Sequence, residues 1–160
     1  MQISLGIRTA DTVRIYFEKA NRPEIKKVLP QKAQTVEEAL EDFEKTLLPN
    51  AQSYGRTIYV DERYVGDIWC FGIDLNGEPN AMVSYCIFET DLWGKGIATE
   101  ALRLFIEEIS QTFNLKSLGA FTYSENIASV KVLEKNGFQV AEEFEEEGVW
   151  SKYLQLYICS

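Results

Sequence analysis

Chemistry in this sequence concentrates in two short stretches. Gly94 and Gly96 bracket Lys95, and Ile97, Ala98 and Thr99 follow. Glycine lets a ligand approach the main chain closely. Main-chain N–H groups at a helix N-terminus lack partners, and the helix dipole favours negative charge there. Placed between a strand and a helix, such a run makes an anion site, and we expect a pyrophosphate on residues 94–99. Lys95 adds a mobile positive charge. The dinucleotide-binding pattern needs a third glycine where Thr99 stands, with an acidic residue suitably downstream at a strand end, and neither is present. The triphosphate-binding loop needs a wider glycine spacing and Gly-Lys-Ser/Thr, which is also missing. On spacing alone, a plain glycine turn into a helix fits equally well. The second stretch begins at Asn126 and carries Ser129, Lys131 and Lys135.

The sequence has no histidine. That removes histidine-dependent nucleophile triads and most zinc sites, so no metal is expected. Any acid or base is then a carboxylate, a lysine, a tyrosine, a cysteine, a hydroxyl or water. Cys70, Cys86 and Cys159 sit in apolar surroundings with no Cys-x-x-Cys pair. They read as buried free thiols of a reducing, cytoplasmic compartment. A net charge of −9 argues against a nucleic-acid partner and suits a cationic one, or simply solubility. No apolar run approaches the ~18 residues of a membrane helix, and the N-terminus lacks a signal-peptide pattern, so no membrane association is expected. A length of 160 residues with 46% hydrophobic content points to a single domain over residues 1–160.

Periodicity shows which elements must position these groups. An aromatic, β-branched run over residues 81–88 reads as the strand before the glycines. Ile97, Ala101, Leu102, Phe105, Ile109 and Phe113 fall at helical spacing after them. Upstream, residues 3–8 read as a strand and residues 11–20 as a helix opened by Asp11. Asn21-Arg22-Pro23 breaks that helix, and an irregular segment with a short turn or helix runs to Pro30-Gln31. Thr35 and Glu38 form a capping-box pattern for a helix ending near Leu47. These early elements show little chemistry. Strands follow over residues 54–60 and 64–73, separated by residues 61–63, and Asn76-Gly77 signals a hairpin turn. Downstream come a strand over residues 117–123 and a helix with Asn126 as N-cap and Gly137 as C′ residue. Two strands then pair around Glu146-Glu147-Gly148. Strand-helix-strand-helix flanked by further strands indicates α/β or α+β with a mixed sheet.

Trp93-Gly94-Lys95-Gly96-Ile97-Ala98-Thr99-Glu100-Ala101, with Asn126-Ile127-Ala128-Ser129 and Glu134-Lys135-Asn136-Gly137-Phe138 after it, resembles the GNAT superfamily of acyl-CoA-dependent N-acyltransferases. The first segment is similar to that superfamily's pyrophosphate loop, Gln/Arg-x-x-Gly-x-Gly/Ala. Trp93 replaces the Gln/Arg, Gly96 is the central glycine and Ala98 takes the last place. The tryptophan, the Asn-x-x-Ser and the Glu-Lys-x-Gly-Phe resemble the ribosomal-protein N-terminal, RimJ/RimL-like branch. The matching motifs span residues 81–140. The resemblance implies a mixed, mostly antiparallel sheet of about seven strands with a splayed parallel pair, flanked by about four helices.

It also implies acetyl-CoA as co-substrate, lying between the splayed strands. Main-chain groups of residues 86–89, Ile87 and Phe88 among them, would face the pantetheine and the acetyl carbonyl. An N–H near Phe88 would meet the oxyanion. The N–H groups from Gly94 to Thr99 would hold the pyrophosphate, Asn126 would touch the pantetheine arm, and Lys95, Lys131 and Lys135 would steer or pair phosphates. Ser129 matches the serine that in this branch protonates the leaving thiolate, although a serine there also suits capping of its own helix. Tyr123 is a second candidate. The sequence departs from the family at Leu133, where many members carry the acidic tyrosine, and at Phe121, where some carry a basic glutamate. Glu89 is the substitute base, and a water relay to a carboxylate is equally compatible.

An α-amine, with a pKa near 8, is roughly a tenth neutral at pH 7, whereas a lysine amine is neutral to only a few parts in ten thousand. A weak or distant base therefore favours an α-amine. Glu142, Glu143, Glu145, Glu146 and Glu147 lie on the last hairpin, which borders the acceptor side in the family, and would attract a cationic acceptor. A peptide N-terminus leads; a polyamine, an aminoglycoside or an amino-acid-like amine remains open, as does an inactive CoA-binding module. A homodimer is common in the family.

Overall fold

The computed structural model describes residues 1–158; Cys159, one of the three expected free thiols, lies outside them. In chain order the elements are β1 (Ile3–Ile7), α1 (Ala10–Ala20), α2 (Pro23–Lys26), α3 (Val36–Lys45), β2 (Tyr54–Val60) and β3 (Arg63–Asp74). They continue with β4 (Asn80–Ile87), α4 (Ile97–Phe113), β5 (Ser117–Tyr123), α5 (Ile127–Lys135), β6 (Gln139–Glu146) and β7 (Val149–Tyr157). Among the described residues there are five α-helices rather than about four, because the segment after Pro23 closes one short helical turn with the proline at its start.

Two helix starts differ from expectation. Helix α1 is capped by Thr9, not opened by Asp11: Thr9 and Thr12 bond each other's main-chain N–H reciprocally. At α3 the Thr35 hydroxyl accepts from the Glu38 N–H at 3.1 Å, but the Glu38 carboxylate reaches one residue further, to the N–H of Gln34 at 2.8 Å. Between β2 and β3 the turn is two residues long, Asp61-Glu62, both with positive φ, as the twist of a tight hairpin requires.

The seven strands form one sheet in the order β1-β2-β3-β4-β5-β7-β6. All neighbours are antiparallel except β4 and β5. That parallel pair meets at only three positions, Asn80↔Ser117, Ala81↔Leu118 and Met82↔Gly119. Past Met82, β4 stays paired with β3 as far as Gly66↔Ile87, and β5 stays paired with β7 as far as Tyr123↔Ser151. The sheet therefore opens between β4 and β5.

Two apolar clusters hold it. Ile97, Leu102, Phe105 and Ile109 of α4 pack on Ile58, Ile68, Val83 and Ile87. Cys86, one residue out of phase with Ile87, joins Ala20, Ile25 and Phe88 in the second cluster, with Tyr16 and Trp69 beside it. Burying a side chain such as Phe88 or Phe105 stabilises the fold by about 2–3 kcal/mol. No helix among the described residues is long and apolar enough to cross a membrane.

Candidate active site

The opening between β4 and β5 is a cleft of about 960 Å³. Its walls are Val83, Tyr85 and Ile87 of β4, residues 120–123 of β5, residues 92–99 at the start of α4, and the first two turns of α5. The Phe88 N–H donates to the Val65 carbonyl at 2.9 Å. Because main-chain groups alternate along a strand, those of Ile87 and Tyr85 then point away from β3, into the cleft. An N–H near Phe88 does face the opening, but it belongs to Ile87.

The glycine end of the cleft is shaped by what α4 lacks. Helices α1, α3 and α5 each have a side-chain cap, from Thr9, Thr35 and Asn126. The longest helix, α4, begins at Gly96 with no side-chain cap. The N–H groups of Ile97, Ala98 and Thr99 have no acceptor one turn back, and these three residues line the cleft. Gly94 and Gly96 hold φ of 77° and 80°, the left-handed region that favours glycine, and a Cβ at either would meet no protein atom within 4 Å. Trp93, in the loop's first place, donates its indole N–H to the Ile87 carbonyl at 2.8 Å, tying the loop to the end of β4.

Helix α5 forms the opposite wall. Asn126 caps it through Oδ1, which accepts from the Ser129 N–H at 3.2 Å, leaving the amide nitrogen free to donate. Among the described residues the Ser129 hydroxyl has no backbone partner; it lies 3.0 Å from the Tyr85 hydroxyl, across the cleft. Burial pushes the Tyr85 phenol up to about 12. The amide of Asn136 donates to the Thr99 carbonyl at 3.1 Å and so fixes the spacing of α4 and α5. Lys131 and Lys135 line the same wall.

Of the residues singled out by sequence, Ile87, Trp93, Gly94, Gly96, Ile97, Ala98, Thr99, Asn126, Ser129 and Lys131 come together on this cleft, with Tyr123. Phe88, Glu89 and Lys95 do not line it. Phe88 is fully buried in the α1 cluster. Glu89 is largely buried behind the loop, with its carboxylate oxygens taken by Lys19 at 3.1 Å and Arg63 at 3.0 Å. Arg22 donates to the Phe88 carbonyl. The early elements therefore carry more than expected: Lys19 and Arg22 brace the end of β4, and Val28, Leu29 and Pro30 form part of the cleft wall. Tyr85 was missed because it sits in an apolar strand and reads as core. The available signal was its phase, since it shares a face with Ile87 two residues on.

At the end away from the glycines, the cleft meets an acidic recess lined by Glu125, Glu146, Glu147, Tyr123, Ser151 and Lys27. Phe121 and Phe144 lie on the cleft beside it, and Phe121 stacks obliquely on Tyr153 at 5.0 Å.

Residues 5–139 match the acetyltransferase (GNAT) domain family. The chain belongs to that family. It is 30% identical over 104 residues to the probable N-acetyltransferase YjcK of Bacillus subtilis (strain 168), a match covering 62% of this chain and 57% of that protein. The match thus spans just over half the length of that curated relative. Among solved structures, the spermidine N-acetyltransferase from Vibrio cholerae, in complex with CoA and spermine, has a TM-score of 0.86 at 17% identity, over 98% of this chain and 95% of that one. The ribosomal L7/L12 α-N-protein acetyltransferase RimL, in complex with coenzyme A, has a TM-score of 0.85 at 15% identity, over 99% and 95%. At those identities the likeness is one of fold. The GNAT domain carries the mixed sheet with one parallel pair described above.

Proposed function

We propose that this GNAT protein works as a single domain that transfers the acetyl group of acetyl-CoA directly to a primary amine. One observation carries this reading: an uncapped helix N-terminus with two left-handed glycines stands at one mouth of the gap in the sheet, and acidic groups stand at the other. The pyrophosphate sits on the N–H groups of residues 94–99, with Lys95, Lys131 and Lys135 supplying positive charge nearby. The pantetheine runs between β4 and β5 and takes up their exposed main-chain groups and the Asn126 amide. The Ile87 N–H donates to the carbonyl oxygen as it becomes an oxyanion. Ser129 gives a proton to the thiolate that leaves.

Glu89 is the carboxylate nearest the end of β4 in sequence. Paired with Lys19 and Arg63, it takes the amine's proton only through water, so its larger part is to brace the loop. A weakly supplied base suits an α-amine. The acceptor is accordingly a peptide or protein N-terminus in the RimJ/RimL manner, drawn in by the glutamates at the far mouth. That recess also favours a second reading, a small polycation such as a polyamine, whose charges Glu125, Glu146 and Glu147 would neutralise. Acetyl-CoA and the buried free thiols Cys70 and Cys86 suit a cytoplasmic setting.

Thiol release from acetyl-CoA tests the reading. The acceptors are a basic peptide with a free N-terminus, the same peptide with that amine blocked and its lysines intact, and spermidine. Release with the free peptide alone is expected. Release with spermidine alone supports the second reading. Bound CoA with no release above hydrolysis for any amine would leave only a CoA-binding module.

A further inference from the structure

Tyr85 has no part in the reading above, yet it touches the one side chain given the acid role. It stands on β4, and Ser129 on the first turn of α5, so their 3.0 Å contact spans the two walls of the cleft. Among the described residues, the Ser129 hydroxyl has this phenol as its side-chain partner. A serine hydroxyl is a poor directional donor by itself, because its hydrogen rotates freely and its oxygen both donates and accepts.

We propose that Tyr85 is a positioning residue that donates its phenolic hydrogen to the Ser129 oxygen and so turns the Ser129 hydrogen toward the sulfur of CoA. The inference rests on Ser129 acting as the acid. The phenol is much the stronger acid of the two, so its proton occupies the space between the oxygens. Burial keeps it protonated throughout the neutral range, with its pKa pushed up to about 12. With one of its two lone pairs taken by the phenol, the serine oxygen has its own hydrogen turned away from Tyr85, and both residues line the cleft. The position of the family's acidic tyrosine is Leu133 here, which is buried in the core and has no proton to give. Tyr85 brings a phenol to the same helix from the opposite wall and acts through the serine.

The step balances without a further reactant. The amine nitrogen bonds to the acetyl carbon, and the C–S bond breaks with its electron pair on sulfur. The Ser129 proton passes to that sulfur as water carrying the proton lost by the amine delivers it to the serine oxygen, so no serine alkoxide forms beside the more acidic phenol. Tyr85 keeps its proton throughout.

The test compares Tyr85→Phe, Ser129→Ala and the double variant, using acetyl-CoA and an accepted amine at saturating concentrations. Phenylalanine keeps the ring that packs against the core. Losing one oriented hydrogen bond is expected to lower kcat roughly tenfold while KM for acetyl-CoA and Kd for CoA stay within about twofold. In the Ser129→Ala background the same change should lower kcat by less than about twofold, because there is no hydroxyl left to aim. An equal loss in both backgrounds would show a role independent of Ser129 and overturn the proposal. A change in KM or Kd with kcat intact would show a packing role only and also overturn it. If Ser129→Ala slows the reaction and Tyr85→Phe does not, positioning fails and the acid role stands. If Ser129→Ala leaves kcat unchanged, the acid role fails and positioning falls with it.

Discussion

Gly96→Ala separates a ligand-binding glycine from a merely conformational one. At φ 80° an alanine is strained by about 1–2 kcal/mol whatever surrounds it. For a chain of this length that lowers Tm by roughly 2–8 °C. The added Cβ meets no protein atom within 4 Å, so within the unliganded protein nothing else is lost. Gly77 supplies the control: its φ is 63°, a Cβ there also meets nothing within 4 Å, and it sits in the β3–β4 turn, away from the cleft. Gly77→Ala and Gly96→Ala should therefore lose similar stability in thermal unfolding. They should part in a calorimetric titration with CoA. Where phosphate oxygens come close to the main chain, the methyl group displaces them from charge-assisted N–H bonds worth about 1.5–3 kcal/mol, a tenfold to 150-fold rise in Kd. Gly77→Ala should keep the parent Kd. If Gly96→Ala also keeps its Kd within about twofold while losing the expected stability, the glycine serves the turn alone and the pyrophosphate assignment is wrong.

Two further outcomes test the far mouth and the buried charge. Replacing Glu146 and Glu147 by glutamine should raise KM for a cationic acceptor several-fold at low salt and leave KM for acetyl-CoA unchanged, with the difference fading as ionic strength rises; a salt-independent effect would remove the electrostatic role. Asp67 is buried beside Arg8 at 3.1 Å and the Tyr64 hydroxyl, and burial outweighs both, raising it from 3.8 to about 6. The folded protein thus keeps a proton that the unfolded chain has released between those values. Asp67 contributes most below pH 3.8, and that contribution is lost as pH rises through 6, on the order of 3 kcal/mol. In urea unfolding, wild type should lose most of that amount relative to Asp67→Asn between pH 4 and pH 7, and a constant difference would show that Asp67 does not titrate in this window.

Local signals made most of the fold legible. The helix Ile97–Phe113 and the strand Ser117–Tyr123 follow directly from periodicity, and Asn126 and Gly137 bracket α5 as cap and C′ residue. Less legible were groups that meet only through the sheet. Glu89 looked like a free carboxylate because Lys19 and Arg63 lie 70 and 26 residues away in sequence. Tyr85 and Ser129 are separated by 44 residues and by the whole of α4. Glu38 missed its expected partner by one residue, since a flexible side chain chooses between neighbouring N–H groups at little cost.

The gap in the sheet has its own physical cause, and that cause decides which residues matter. Strand β4 is bonded along its outer edge to β3, and β5 along its outer edge to β7, each far beyond the three positions they share. Each half of the sheet is complete on one side, so separating them exposes only the inner-edge groups, among them those of Tyr85 and Ile87. A buried main-chain group without a partner costs about 1–3 kcal/mol, so these edges must be satisfied by something other than a strand. The Ile87 carbonyl has the Trp93 indole. Its N–H lies on the same face, and under the proposed function the ligand takes it. Trp93 is thereby more than a substitute in a loop motif. By taking the carbonyl, it leaves Ile87 with only a donor to offer, which is the polarity an oxyanion requires and a carbonyl acceptor would oppose.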